Sequence, residues 1–177
     1  RLAQICKLID ARVVHISTDC VFSGKLGMYT ESDQPDALDL YGISKFYGEV
    51  SASHVINLRT SIVGHELHTS NGLLEWFLKQ NGSVSGYTNT IFSGLPTVEL
   101  ARVISDYVLP NQMLSGTYNV ATRPITKFDF LKLVAKIYKK DIEIRPDKSV
   151  KINRSLYPEK FKMHTGYEAD DWSSLIE

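Results

Sequence analysis

Val13-Val-His-Ile-Ser-Thr-Asp19 decides the fold of this 177-residue chain. Val13 to Ile16 is a short, largely β-branched run of the kind that is buried on both faces of a parallel strand. Three small or acidic polar residues follow it without a break. Open α/β sheets place their ligands at the carboxyl ends of such strands, so Ser17-Thr18-Asp19 marks one end of a site as well as the end of a strand.

Working outward, Leu2, Ile5, Leu8 and Ile9 recur at helical spacing before the strand. A polar loop runs from Ser17 to Asp39. Asp39 is placed to cap a second helix whose apolar face is Leu40, Ile43, Phe46, Tyr47 and Val50. Val55 to Leu58 predicts the next strand, Gly72 to Gln80 a helix, and Ser83 to Gly86 a short strand. Pro96-Thr97 opens a periodic helix reaching Val108, and Gly116 to Val120 is a further strand. Thr126, with Asp129 three residues on, caps a helix carrying Phe130, Leu131, Val134, Ile137 and Tyr138. Ile142 to Ile144 is a last strand before a looser tail. Strands alternating with helices predict a parallel, doubly wound α/β architecture.

Twenty basic residues balance twenty acidic ones, so no net field draws the chain to nucleic acid or an anionic membrane. No apolar run approaches the length of a membrane span. Cys6 and Cys20 are neither paired nor clustered, which favours two reduced thiols and a cytoplasmic setting. The chain opens at Arg1 inside a helical pattern and reads as part of a longer protein. His65-Glu-Leu-His68 has no third ligand and no helical context for zinc, so no metal is expected. Trp76, Phe77 and Trp172 read as packing anchors.

Tyr41-Gly-Ile-Ser-Lys45 lies on the second helix. An interval of four puts both side chains on one face, about 5–6 Å apart at the β-carbons. A phenol is a poor acid–base group at neutral pH, and a neighbouring ammonium favours its ionised form, so the pair suits proton transfer to a carbonyl oxygen. Either half of the pattern by itself is common. A surface Tyr and Lys, or a strand-end turn with local hydrogen bonds at Thr18 and Asp19, explains each piece in isolation; together they describe a site.

Ile16-Ser-Thr-Asp-Cys-Val-Phe-Ser-Gly24, Tyr29-Thr-Glu31, Pro35, Tyr41-Gly-Ile-Ser-Lys45 and Gly48-Glu49 stand in an order that resembles the extended short-chain dehydrogenase/reductase superfamily. Within it, the chain is most similar to the dTDP-4-dehydrorhamnose reductase branch. Leu58-Arg-Thr-Ser61, Gly94-Leu-Pro-Thr97 and Gly116-Thr-Tyr-Asn-Val120 continue the likeness. The resemblance implies a partial Rossmann-type sheet with a small C-terminal substrate-binding lobe. It implies residues 1–70 and 96–120 in the nucleotide-binding sheet, and 71–95 and 121–177 in the lobe.

The resemblance also implies an NADPH- or NADH-dependent reductase of a 4-keto nucleotide sugar. Tyr41 would protonate the carbonyl oxygen, and Lys45 would support Tyr41 and hydrogen-bond the cofactor ribose. Thr18 would bind the reacting oxygen, and Asp19 would help hold the sugar. An epimerase or dehydratase of the same superfamily, or a non-catalytic regulatory relative, stays open. Ile62, Ile91-Phe92 and Cys20 depart from the branch's usual tryptophan, Asp-Gln and tyrosine, which bears on the sugar rather than on proton transfer.

The Gly-x-x-Gly-x-x-Gly turn that holds a dinucleotide pyrophosphate is missing, since Gly24-Lys-Leu-Gly27 leads into no helix. By itself the chain is expected to be inactive. Its sheet should also expose a long edge, covered either by a homo-oligomer such as a homodimer or by upstream residues.

Overall fold

A computed structural model describes residues 1–69 and 71–177. In chain order the first elements are α1 (Leu2–Leu8), β1 (Val13–Ile16), a 3-10 turn (Asp19–Val21), α2 (Leu40–Tyr47), β2 (Val55–Arg59), β3 (Ile62–Val63) and α3 (Leu73–Lys79). Next come β4 (Ser83–Tyr87), β5 (Thr90–Phe92), β6 (Leu95–Pro96), α4 (Thr97–Val103) and β7 (Gly116–Asn119). The chain ends with β8 (Ile125–Thr126), α5 (Lys127–Ile137), β9 (Glu143–Asp147), β10 (Ile152–Asn153), α6 (Glu159–Thr165) and α7 (Trp172–Ile176).

The architecture is α/β with a parallel sheet of order β1-β2-β7. Val13 stands beside Val55 and Ile16 beside Leu58, while Ile56 pairs with Gly116 and Arg59 with Asn119. β2 is central and every residue in it is buried, as a strand covered on both faces must be. Ile56, Leu58, Leu95, Leu100, Val103, Tyr118 and Val120 form the core against it. Phe161 and Tyr167 join that core from the chain's last quarter, because α6 packs on β7.

A second core is built around Phe77, Phe92, Phe130, Leu131, Val134 and Trp172. Phe92, Phe130 and Trp172 meet as edge-on or tilted pairs with centroids 5.4–5.5 Å apart. Of the expected packing anchors, Phe77 and Trp172 are buried here, whereas Trp76 is 38% exposed. Beside this core, β4 pairs in parallel with β9, and β5 lies between β10 and β8.

Caps account for where two helices begin. The Asp39 side chain accepts from Gly42 N at 2.8 Å, and Thr126 Oγ1 accepts from Asp129 N at 3.0 Å. The helix expected to reach Val108 changes pitch instead, since residues 104–108 form a π turn in which Leu109 N donates to Ile104 O. The tail expected to be loose contains β10, α6 and α7. Each is only two to seven residues long, too short for a period to announce it. Gly166 (φ 75°) ends α6 in the left-handed region, which suits glycine.

Among the described residues, β1 has one strand partner, so its outer edge is open. The apolar side chains of α1 are unpartnered as well, with Leu2, Ile5, Leu8 and Ile9 between 56% and 85% exposed. No helix among the described residues is long and apolar enough to cross a membrane.

Candidate active site

At the end of β1 the chain keeps following the continuation of β2. Ser17 N donates to Leu58 O at 2.8 Å and Asp19 N to Thr60 O at 3.0 Å. This draws Thr18 and Asp19 inside, where they are 6% and 5% exposed. Thr18 caps the 3-10 turn, its Oγ1 accepting from Cys20 N at 3.1 Å and donating to Asp19 Oδ1 at 3.2 Å. Burial pushes the Asp19 carboxyl up from 3.8 to about 6, against the opposing pull of hydrogen bonds from Cys20 and Thr18 and the charge of Arg154.

The start of α2 lies directly against this turn. A Cβ at Gly42 would collide with the Cys20 carbonyl oxygen and the Ala37 side chain, so only glycine lets the helix approach so closely. One turn on, Lys45 Nζ donates to Ile16 O at 2.5 Å, which ties the lysine to the last residue of β1. Tyr41 lies four residues before Lys45, is 56% exposed, and its phenol has no hydrogen-bond partner among the described residues. Thr18, Asp19 and Lys45 therefore meet at one strand end, and Tyr41 stands on the open side of the same helix.

Beneath them is a buried ion pair. Glu49 accepts from Arg59 Nε at 2.9 Å and Nη2 at 2.7 Å, and its Oε1 also accepts from Ser17 Oγ at 2.7 Å. The side chains of Arg59 and Glu49 are 4% and 6% exposed. His15, on β1, sits against Gly48 and is only partly buried. Burial and the Lys45 charge lower its pKa.

Arg154, just past β10, reaches across the chain. Its Nε donates to Phe22 O at 2.9 Å and its Nη1 to Cys20 Sγ at 3.3 Å, and it faces Asp39 at 3.7 Å. It shares a cavity of about 210 Å³ with Asp19, Cys20, Ile62, Ile91, Phe92 and Lys127. The four positions that depart from the reductase pattern, Cys20, Ile62, Ile91 and Phe92, thus line one space. Tyr41, Lys45 and Thr18 are not among its walls. A neighbouring cavity of about 310 Å³ shares Leu73 and Lys127 with it and adds Trp76 and Tyr87.

Sequence reasoning gave no role to Arg154, Glu49 or Arg59. Glu49 and Arg59 sit inside the motifs that carried the resemblance, whereas Arg154 stands in a stretch with no pattern and had no signal. His65 is held by Glu75 and by the Tyr138 hydroxyl, at 2.5 and 3.0 Å, although its side chain is 61% exposed. Neither Cys6 nor Cys20 is in a disulfide.

The family model for the RmlD substrate binding domain matches residues 1–162. The probable low-salt glycan biosynthesis reductase Agl14 of Haloferax volcanii is 30% identical over 148 residues, which cover 77% of this chain and 49% of that protein. The chain thus spans about half the length of this curated relative. Among solved structures, the dTDP-4-dehydrorhamnose reductase of Bacillus anthracis in complex with NADP superposes with a TM-score of 0.82 at 22% identity, over 97% of this chain and 66% of that one. A hypothetical dTDP-4-dehydrorhamnose reductase from Sulfolobus tokodaii gives 0.80 at 24% identity, over 96% and 65%. WbmG of Bordetella bronchiseptica, in complex with NAD and UDP, gives 0.77 at 19%, over 99% and 61%. These structures share the fold.

Proposed function

Since the chain belongs to the RmlD substrate-binding-domain family, we propose that the whole protein reduces a 4-keto nucleotide sugar with NADPH or NADH. One observation carries this reading: Lys45 Nζ on Ile16 O seats the Tyr41–Lys45 helix at the strand end that bears Thr18 and Asp19. The two adjoining cavities add support. At about 210 Å³ the first is smaller than the 300–1,000 Å³ of pockets enclosing drug-sized ligands, so it suits a single sugar ring. The second offers Trp76 and Tyr87 to a planar base, with Lys127 at the junction where phosphates would lie.

The residues present fit the nicotinamide-ribose end of the cofactor, because α2 carries the Lys45 ammonium, seated on Ile16 O, and four residues before it an exposed phenol, Tyr41. They do not supply a pyrophosphate site, which we assign to the part of the longer relatives that this chain does not span. When bound, the nicotinamide supplies a hydride to the carbonyl carbon. Tyr41 gives its phenolic proton to the carbonyl oxygen, and the Lys45 charge stabilises the phenolate left behind. Thr18 turns its hydroxyl proton from Asp19 to that same oxygen. Asp19, buried on the cavity wall, accepts from a sugar hydroxyl.

In the same proposal, residues 1–70 and 96–120 make the nucleotide-binding sheet, and 71–95 with 121–177 make the substrate lobe, α6 bracing the sheet from behind. The open edge of β1 is where the part of the longer relatives that this chain does not span, or a second copy, would pair. The two free thiols are in keeping with the cytoplasm.

The test is oxidation of NADPH or NADH by the full-length protein on a panel of 4-keto nucleotide sugars. Turnover in the wild type and its loss in Tyr41→Phe, with the thermal midpoint unchanged, are expected. A fully active Tyr41→Phe, or no turnover in the wild type, overturns the reading.

A further inference from the structure

Tyr41 and Lys45 lie four residues apart on α2, and Glu49 follows two residues beyond the helix's last residue, Tyr47. Two of the three are anchored on consecutive residues of the β1 end. Lys45 holds the carbonyl of Ile16, and Glu49 holds the hydroxyl of Ser17 while pairing with Arg59 at the end of β2. One anchor leaves a helix free to pivot about it; two anchors a turn apart fix its rotation and its tilt.

The second anchor is made in a way that stability does not explain. Glu49 and Arg59 are almost completely removed from water. Arg59 Nη1 has no hydrogen-bond partner among the described residues, and its guanidinium lies 5.1 Å over the Phe22 ring. Burying two charges costs desolvation that their attraction often fails to recover, and an apolar pair of the same volume is commonly as stable or more so. What such an apolar pair lacks is the directional link from the carboxylate to Ser17, the residue before Thr18.

We propose that Glu49 and Arg59 are positioning residues for the proton-transfer group, holding α2 so that Tyr41 and Lys45 keep a fixed relation to Thr18. This rests on the proposed reductase function. Neither residue touches the reacting atoms. Both act through Ser17 and through the backbone that carries Lys45. A misplacement on the order of 1 Å costs about a hundredfold in rate, so loosening this anchor should be felt in turnover rather than in substrate binding.

The experiment uses the full-length protein with Glu49→Gln, Ser17→Ala and the double variant. Ser17→Ala removes the hydrogen bond and leaves the ion pair, so it decides the matter if Glu49→Gln does not fold. Expected is a kcat lowered by about ten- to a hundredfold with KM little changed. The double variant should be no worse than the poorer single one, since the Ser17 hydrogen bond and the Arg59 pair share the Glu49 carboxylate as one anchor. Crystal structures of the variants should show Lys45 Nζ moved off Ile16 O. Wild-type kcat in folded variants, or losses that multiply in the double variant, overturn the inference. If the wild type itself shows no turnover, the reductase reading fails, and the crystal structures alone decide this one: Lys45 still seated on Ile16 overturns it.

Discussion

Replacing Asp19 by Asn should stabilise the folded protein at neutral pH and leave it unchanged in acid. Burial pushes the Asp19 carboxyl up from an ordinary 3.8 to about 6 in the folded chain. A proton is therefore held more tightly by the folded state than by the unfolded one. Stability from this group is fully present below pH 3.8 and is lost as pH rises through 6. About two pKa units at 1.36 kcal/mol each come to about 3 kcal/mol. Asn cannot ionise and keeps an oxygen for the Thr18 hydroxyl, so it avoids that loss.

The assay is urea unfolding of both proteins between pH 4 and 8. The stability difference should be near zero at pH 4 and grow to about 3 kcal/mol in favour of Asn above pH 7. For a chain this size that is a rise in Tm of about 6–12 °C. A difference that stays flat with pH, or a variant less stable at pH 7.5, refutes the argument that Asp19 is a costly buried carboxylate. A side chain kept at such a cost is the kind that function retains, so the stabilised variant should also bind substrate less well in the full-length protein.

Gly42→Ala would gain about 1 kcal/mol from helix propensity. Collision with Cys20 O should nevertheless make it destabilising by about 1–3 kcal/mol in urea unfolding. A neutral or stabilising result would show that α2 is not seated against the turn. Phe130→Ala empties a fully buried position between Phe92 and Trp172 and should cost about 3–5 kcal/mol by the same measurement. Thr126→Ala removes the cap of α5 and should cost about 1 kcal/mol, with a small loss of helical circular dichroism near the midpoint.

Local rules were legible wherever a run of residues was long enough to carry a period or a cap. The strand Val13–Ile16, the Asp39 and Thr126 caps and the parallel α/β order all follow from side-chain type and spacing. Tyr41 and Lys45 were legible because helical geometry alone places residues four apart on one face. The two-residue strands at Ile62, Leu95, Ile125 and Ile152 were not legible, because two residues have no period and pair only where distant chain happens to pass.

Long-range contact decided everything else. Arg154 meets Cys20 across 134 residues, and nothing near it in sequence calls for an arginine. Glu49 stands in plain view after Gly48, yet its importance appears only when Ser17 and Arg59 close around it. Asp19 could be read as a polar residue at a strand end, but its raised pKa comes from the water that the fold excludes, and exclusion is a property of neighbours. Spacing along the chain determines which side chains can face the same way; only the packed structure determines what they face and how dry that place is.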